Sequence, residues 1–120
     1  MATPRILSVG IDPLLMVSRT LLLRNAGYSV VEAHSVDKAI SIVESDSTDS
    51  IDLTLICHTL PKSEKKWLIA VVREKRRLMP ILYIQPLPFA SAPRTCIAVE
   101  NEPVALLEAI KLAIIRESPN

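Results

Sequence analysis

Glycine is scarce in this chain of 120 residues, because Gly10 and Gly27 are the only two. Loops that cradle phosphate groups with their backbone N–H groups need several closely spaced glycines. The sequence therefore excludes a Gly-rich phosphate-binding loop of the usual kind.

Cysteine and net charge are also low. Cys57 and Cys96 are too few for a disulfide scaffold, so we expect a protein of the reducing cytoplasm. The N-terminus lacks a secretory apolar segment, and no apolar run is long enough to span a bilayer. A formal net charge of +1 gives no electrostatic reason to expect nucleic acid or a membrane as a direct partner.

Apolar residues, in contrast, make up 49% of the chain, which argues against disorder and predicts one domain, spanning 1–120, with a proper core. The run Asp-Leu-Thr-Leu-Ile at 52–56 has the apolar, β-branched character of a buried strand. Four further runs read as strands, at 5–9, 28–33, 81–84 and 95–99, and helical patterns lie between or after them, at 13–26, 35–44, 64–78 and 103–116.

The alternation of strands and helices predicts βαβ units and a parallel sheet. We expect an α/β, flavodoxin-like, doubly wound sheet of five parallel strands in the order 2-1-3-4-5. Pro86, Pro88 and Pro93 disfavour a regular helix between the fourth and fifth strands, so that helix should be shortened or missing. Chemistry on such a sheet occurs at the carboxyl ends of the strands, and Cys57 follows the central one.

The first helix begins with a favoured cap and carries more apolar residues than one face needs. Asp12 is a good N-cap, Pro13 is a good first residue, and Gly27 is a natural stop. Helical spacing predicts a core face, and on the second helix it predicts another. The two predicted core faces are Leu15, Ser18, Leu22 and Ala26, and Val36, Ala39, Ile40 and Val43.

Additional apolar residues on the first and last helices predict a surface beyond the core. The two helices should lie on the same side of the sheet. There these residues form a candidate protein interface, and a homodimer is one way to use it. The candidate interface residues are Leu14, Val17, Leu21, Leu112 and Ile115. The alternative interpretation is a larger core with scattered surface apolar residues.

Five stretches, in order, resemble the receiver domains of response regulators, the regulated components of two-component phosphorelay systems. They are ILSVGIDPLL at 6–15, AGYSVVEA at 26–33, DLTLICHTLP at 52–61, PILYI at 80–84 and LLEAI at 106–110. The resemblance covers nearly the whole chain and implies the fold derived above, together with a role in signal transduction.

The chain departs from the family at every position that carries chemistry. Two adjacent acids hold magnesium in the family, and Gly10 and Ile11 stand there. Cys57 occupies the place of the phosphoacceptor aspartate. Gln85 replaces a Ser or Thr, and Val99 replaces a Lys, at the switch positions that end the fourth and fifth strands. The resemblance therefore implies a degenerate receiver, or pseudo-receiver.

These replacements remove the family's chemistry. An aspartyl-phosphate mechanism needs a carboxylate nucleophile and a hard divalent cation held by oxygen ligands. A thiol at Cys57 is a poor magnesium ligand, and Asp12 is better interpreted as a helix cap. We therefore expect no catalytic residue, no metal, no cofactor and no phosphorylation.

Other residues permit a functional and a structural interpretation. Cys57 is either a modifiable thiol or a structural residue that fills the former site, and the second is favoured. His34 and His58 show no metal-ligand spacing with it. A basic run is either a docking surface for an acidic partner or the solvated face of a helix. The run consists of Lys62, Lys65, Lys66, Arg73, Lys75, Arg76 and Arg77.

The sequence favours an atypical receiver domain that acts as a phosphorylation-independent protein-interaction module and is not an enzyme. The first alternative is a receiver that is still regulated by phosphorylation, or by thiol modification, at a non-standard residue. The second is a flavin or nucleotide enzyme on the same fold, against which the missing phosphate loop counts. The partner itself is not encoded in any motif.

Overall fold

The computed structural model describes residues 3–45, 51–57, 60–85, 97–100 and 103–117. The described elements alternate as the sequence predicts, with the last two strands separated by undescribed chain. They are β1 (Arg5–Val9), α1 (Pro13–Asn25), β2 (Ser29–Ala33), α2 (Val36–Glu44), β3 (Leu53–Ile56), α3 (Lys62–Lys75), β4 (Ile81–Gln85), β5 (Ile97–Glu100) and α4 (Pro103–Glu117).

The five strands form one parallel sheet in the order β2-β1-β3-β4-β5, which confirms the predicted topology. In β3, which pairs with β1 and β4, all four residues are buried. Parallel strands covered on both faces are apolar throughout, and this explains why 52–56 is the clearest strand signal in the sequence. The helix that the sequence expected to be short or missing, between β4 and β5, lies outside the described residues.

Two hydrophobic clusters cover the two faces of the sheet. One includes Val36, Ala39, Ile40 and Val43 of α2, so the predicted core face of that helix is confirmed. It also takes in side chains of α3. The second cluster joins α1 and α4 to the opposite face, as expected for a doubly wound sheet.

The ends of α1 are set by local interactions. Asp12 is the N-cap, and its carboxylate accepts backbone N–H bonds from Leu14 at 3.0 Å and Leu15 at 3.3 Å. Gly27 follows the helix with a φ of 98°, a conformation in which a side chain would be strained. Both predictions from the sequence are confirmed.

The predicted core face of α1 is wrong. The buried residues of this helix are Met16, Arg19, Thr20 and Leu23. Ser18 and Ala26 are exposed, whereas Leu15 and Leu22 are half-buried. Because apolar residues surround most of this helix, spacing alone does not select one face. The face that packs against the sheet includes two polar residues. Thr20 can be buried because its hydroxyl has a partner in Glu32.

Helix α3 begins two residues before the predicted start and ends three residues before the predicted end. Arg73 Nη1 donates to the carbonyl oxygens of two residues beyond the C-terminus of the helix, Arg77 at 3.1 Å and Met79 at 2.6 Å. These two hydrogen bonds hold the segment that follows the helix against it. Among the described residues, none of the helices combines the length and apolar character that crossing a membrane requires.

Candidate functional site

The carboxyl edge of the sheet brings together the residues that follow β1 and β3. The backbone N–H of Gly10 donates to the carbonyl of Ala33 at 3.1 Å, and that of Cys57 donates to the carbonyl of Val9 at 2.9 Å. These bonds continue the pairing of the strands by one residue and place Gly10 and Cys57 side by side. Both are buried.

Gly10 has no room for a side chain. A Cβ built at this position would lie 2.9 Å from Met16 Sδ and 3.0 Å from Cys57 Cβ. The thioether of Met16 can swing aside, but Cys57 Cβ is held by the backbone of its strand. A carboxylate at position 10 would therefore have to displace the packing of both residues.

Met16 fills the space into which such a carboxylate would project. It is fully buried, and Ser8 Oγ on β1 lies 3.9 Å from its sulfur atom. The groups closest to Gly10 are thus a thioether and a thiol, which are soft donors that suit Mg²⁺ poorly. No group of three His, Cys, Asp or Glu side chains that could hold a metal ion occurs within the described ranges.

Of the other predicted site positions, the two with described side chains, Ile11 and Asp12, supply no free oxygen ligand. Ile11 is 48% exposed and has no polar side-chain atom. Asp12 uses its carboxylate to cap α1. Gln85 pairs with Glu100 and Val99 pairs with Ile84 at the carboxyl ends of β4 and β5, but the side chains of Gln85 and Val99 lie outside the described part of the structure.

No protein-family model matches the chain, and no curated protein matches it. Solved structures do match. A CheY-like response regulator receiver domain from Methanospirillum hungatei JF-1 is 23% identical, with 96% of each chain covered and a TM-score of 0.79. A response regulator receiver protein from Sinorhizobium medicae WSM419 is 24% identical, with 94% of this chain and 95% of that chain covered and a TM-score of 0.79. The signal receiver domain of an HD domain-containing protein from Pseudomonas fluorescens Pf-5 is 18% identical, with 99% and 100% covered and a TM-score of 0.81.

The chain has the receiver-domain fold. The resemblance found in the sequence is thereby confirmed for the fold. Its degenerate site positions stay a prediction, to which the packing around Gly10 adds a physical reason.

The candidate interface residues on the receiver fold are largely solvent-exposed. Leu14 is 81% exposed, Val17 53%, Leu21 57% and Leu112 58%. Their spacing of three and four residues puts Leu14, Val17 and Leu21 on one stripe of α1. The side chain of Ile115 lies outside the described part. The four exposed side chains are therefore accessible at the surface of α1 and α4.

A polar cluster at the edge strand was not predicted from the sequence. Glu32 on β2 accepts a hydrogen bond from Thr20 Oγ1 on α1, and His34 Nε2 lies 2.9 Å from its other oxygen. The hydrogen bond with Thr20 lowers the pKa of Glu32 below its ordinary value, and the hydrogen bond with His34 lowers it further by a smaller amount. A glutamate within a β-rich run was the only signal of this cluster in the sequence.

Lys65 was also misjudged, because both interpretations of its basic run, a docking surface and a solvated helix face, expect an exposed side chain. The structure buries it, with Nζ 4.8 Å from the centroid of the Tyr83 ring. An ammonium group over an aromatic face is stabilised by the ring quadrupole, so this lysine belongs to the packing between α3 and β4.

Proposed function

We propose that this chain is a degenerate receiver-type domain that acts in signal transduction as a cytoplasmic, non-enzymatic protein-interaction module, without a phosphorylation cycle. The observation that carries the proposal is the packing of Gly10 against Cys57 and Met16. A receiver with a working phosphorylation site needs two acids and an acceptor carboxylate at this edge, and here the corresponding space is filled by sulfur-containing side chains.

The alternative regulated by phosphate or by thiol chemistry has less support. Cys57 is 2% exposed, so a modifying reagent has no open path to its thiol. A phosphoryl group at another residue would need a cation to neutralise its charge, and the described residues at this edge offer no group of ligands for one. No other observation favours either form of regulation.

The proposed partner surface includes the apolar stripe of α1, formed by Leu14, Val17 and Leu21, and we propose that a second copy of the chain covers it. Three exposed aliphatic side chains in one row, none of them charged, are expensive to leave in water. A twofold pairing would bury both copies of the stripe at once and leave no unpaired copy of it exposed.

Incubation with acetyl phosphate and Mg²⁺, followed by intact-mass measurement, tests the proposed function. We expect an unchanged mass. We also expect an unchanged thermal midpoint when Mg²⁺ alone is added, because a cation that bound the native state would raise the midpoint. A gain of one phosphoryl group that persists in Cys57→Ala would overturn the proposal, and a midpoint that rises with Mg²⁺ would overturn its metal argument.

A further inference from the structure

The charges of the chain are distributed unevenly. Residues 62–78 contain seven of the fourteen Lys and Arg residues and only two of the thirteen Asp and Glu residues. The net charge of +1 is therefore the sum of a strongly basic segment and an otherwise acidic chain. Such a separation of charge creates a local positive potential that steers acidic partners.

The structure separates the basic residues that maintain the fold from those available to a partner. Lys65 lies over the ring of Tyr83, and Arg73 holds the loop that follows α3. Four others are exposed to solvent along α3 and just beyond it: Lys62, Lys66, Lys75 and Arg77. Lys62 and Lys66 are four residues apart and so form one flank of the helix.

Trp67 stands beside this flank and is 50% exposed. Ser63 and Ala70, four residues before and three after it, are small, exposed and on the same face, so they leave the indole accessible. Leu78, just after the helix, is 77% exposed. A tryptophan flanked by cations is the composition typical of the energetic centre of a protein interface.

We propose that this surface binds an acidic segment of a partner protein, with an apolar side chain of that segment against Trp67. We name it the α3 basic surface, and it consists of Lys62, Lys66 and Trp67. The inference rests on the proposed function in that it names a partner for the interaction module. It uses a different helix from the apolar stripe of α1 and does not depend on self-association.

Glu74 favours a protein over a membrane or a nucleic acid as the occupant. It is exposed and, seven residues after Trp67, lies on the same outward face. A bilayer of anionic lipid or a phosphate backbone presents uniform negative charge and would repel this carboxylate. A protein segment can place acids opposite Lys62 and Lys66 and a neutral or basic residue opposite Glu74.

Trp67 is the single tryptophan of the chain, so its fluorescence reports on the α3 basic surface alone. The probe is a synthetic glutamate-rich peptide with one central leucine, labelled for anisotropy. We expect a saturable change in Trp67 emission and an affinity that falls as NaCl rises, because salt screens exposed charges. The same peptide with lysine in place of glutamate should not bind.

Paired charge reversals locate the site. Lys62→Glu with Lys66→Glu should weaken peptide binding by roughly tenfold. The matched control, Lys38→Glu with Lys111→Glu, changes the net charge equally at exposed positions on α2 and α4 and should leave binding within about twofold of wild type. Trp67→Ala, followed by anisotropy, should weaken binding as well, since the apolar anchor loses its contact.

Several results would overturn the inference: no change in Trp67 emission, equal weakening in the control pair, or tighter binding of phosphatidylserine vesicles or duplex DNA than of the peptide. A change in sedimentation of the protein alone on Lys62→Glu would identify a second copy as the occupant and overturn it too. Protein that stays inert to acetyl phosphate but does not bind the peptide would overturn this inference and leave the proposed function standing.

Discussion

Gly10 and Cys57 lie in direct contact at the carboxyl edge of the sheet, so close that a Cβ on Gly10 would be 3.0 Å from Cys57 Cβ. Their strands are neighbours, and the buried thioether of Met16 closes the contact from α1. The contact fills this edge of the sheet with ordinary core packing.

Gly10→Ala should destabilise the protein by about 1–3 kcal/mol, because the added methyl group overpacks a filled core. Met16→Ala should relieve much of that cost, so a double-mutant cycle by urea denaturation should show coupling between the two positions. Gly27→Ala is the matched control: nothing lies within 4 Å of its Cβ, and its cost comes from a φ of 98°. Coupling of Gly27→Ala to Met16→Ala, or additivity at Gly10, would contradict the packing argument.

Stability should depend on the protonation of Glu32. Hydrogen bonds to Thr20 and His34 lower the pKa of Glu32 below its ordinary 4.5, so its stabilising effect is present above pH 4.5 and is lost as the pH falls through the lowered folded-state value. Glu32→Gln should therefore be less stable than wild type by about 1 kcal/mol near neutral pH. The difference should shrink in acid.

Thermal midpoints of wild type and Glu32→Gln, measured at several values of pH down to about 3, test this expectation. Thr20→Val removes the main hydrogen bond to the carboxylate and should reduce the pH dependence in the same direction. A difference between wild type and Glu32→Gln that stays constant over this range would show that the charge of Glu32 contributes nothing.

The fold could be predicted because the signals for the order of strands and helices agreed with one another. Asp12 and Pro13 begin α1, Gly27 stops the chain after it, and the apolar run at 52–56 forms the central strand. Strands separated by helices have few alternatives to a parallel, doubly wound sheet. Sequence order therefore carried most of the topology.

The contacts within the candidate site could not be predicted in the same way. Met16 reaches Gly10 and Cys57 from a helix whose apolar residues point in many directions, and only packing against the sheet selects among them. Lys65 is another example, because a lysine in a basic run gives no sign that its neighbour will be Tyr83 from a different element. Both depend on long-range contacts, which periodicity does not contain.

The thiol of Cys57 should react slowly in the native protein. It is 2% exposed, so a disulfide reagent reaches it only when the site opens. In a Cys96→Ser background, which leaves one thiol, reaction with Ellman's reagent should be at least about 100-fold slower in buffer than in denaturant. Equal rates would show that the thiol is accessible and would remove the argument against thiol modification.

The apolar stripe of α1 should hold two copies together without any phosphodonor. Burial of aliphatic surface contributes about 25 cal/mol per Å2 before the cost of association. A modest apolar surface on each copy can therefore hold a dimer together when residues around the stripe are buried with it. Sedimentation at micromolar concentration should give a dimer that acetyl phosphate does not change. Leu21→Lys places a charge in the middle of the pairing and should yield a folded monomer. Ser41→Lys, at an exposed position on α2, introduces the same charge elsewhere and should remain dimeric. If wild type sediments as a monomer, exposed Leu14, Val17 and Leu21 serve another partner, and the self-association proposal fails.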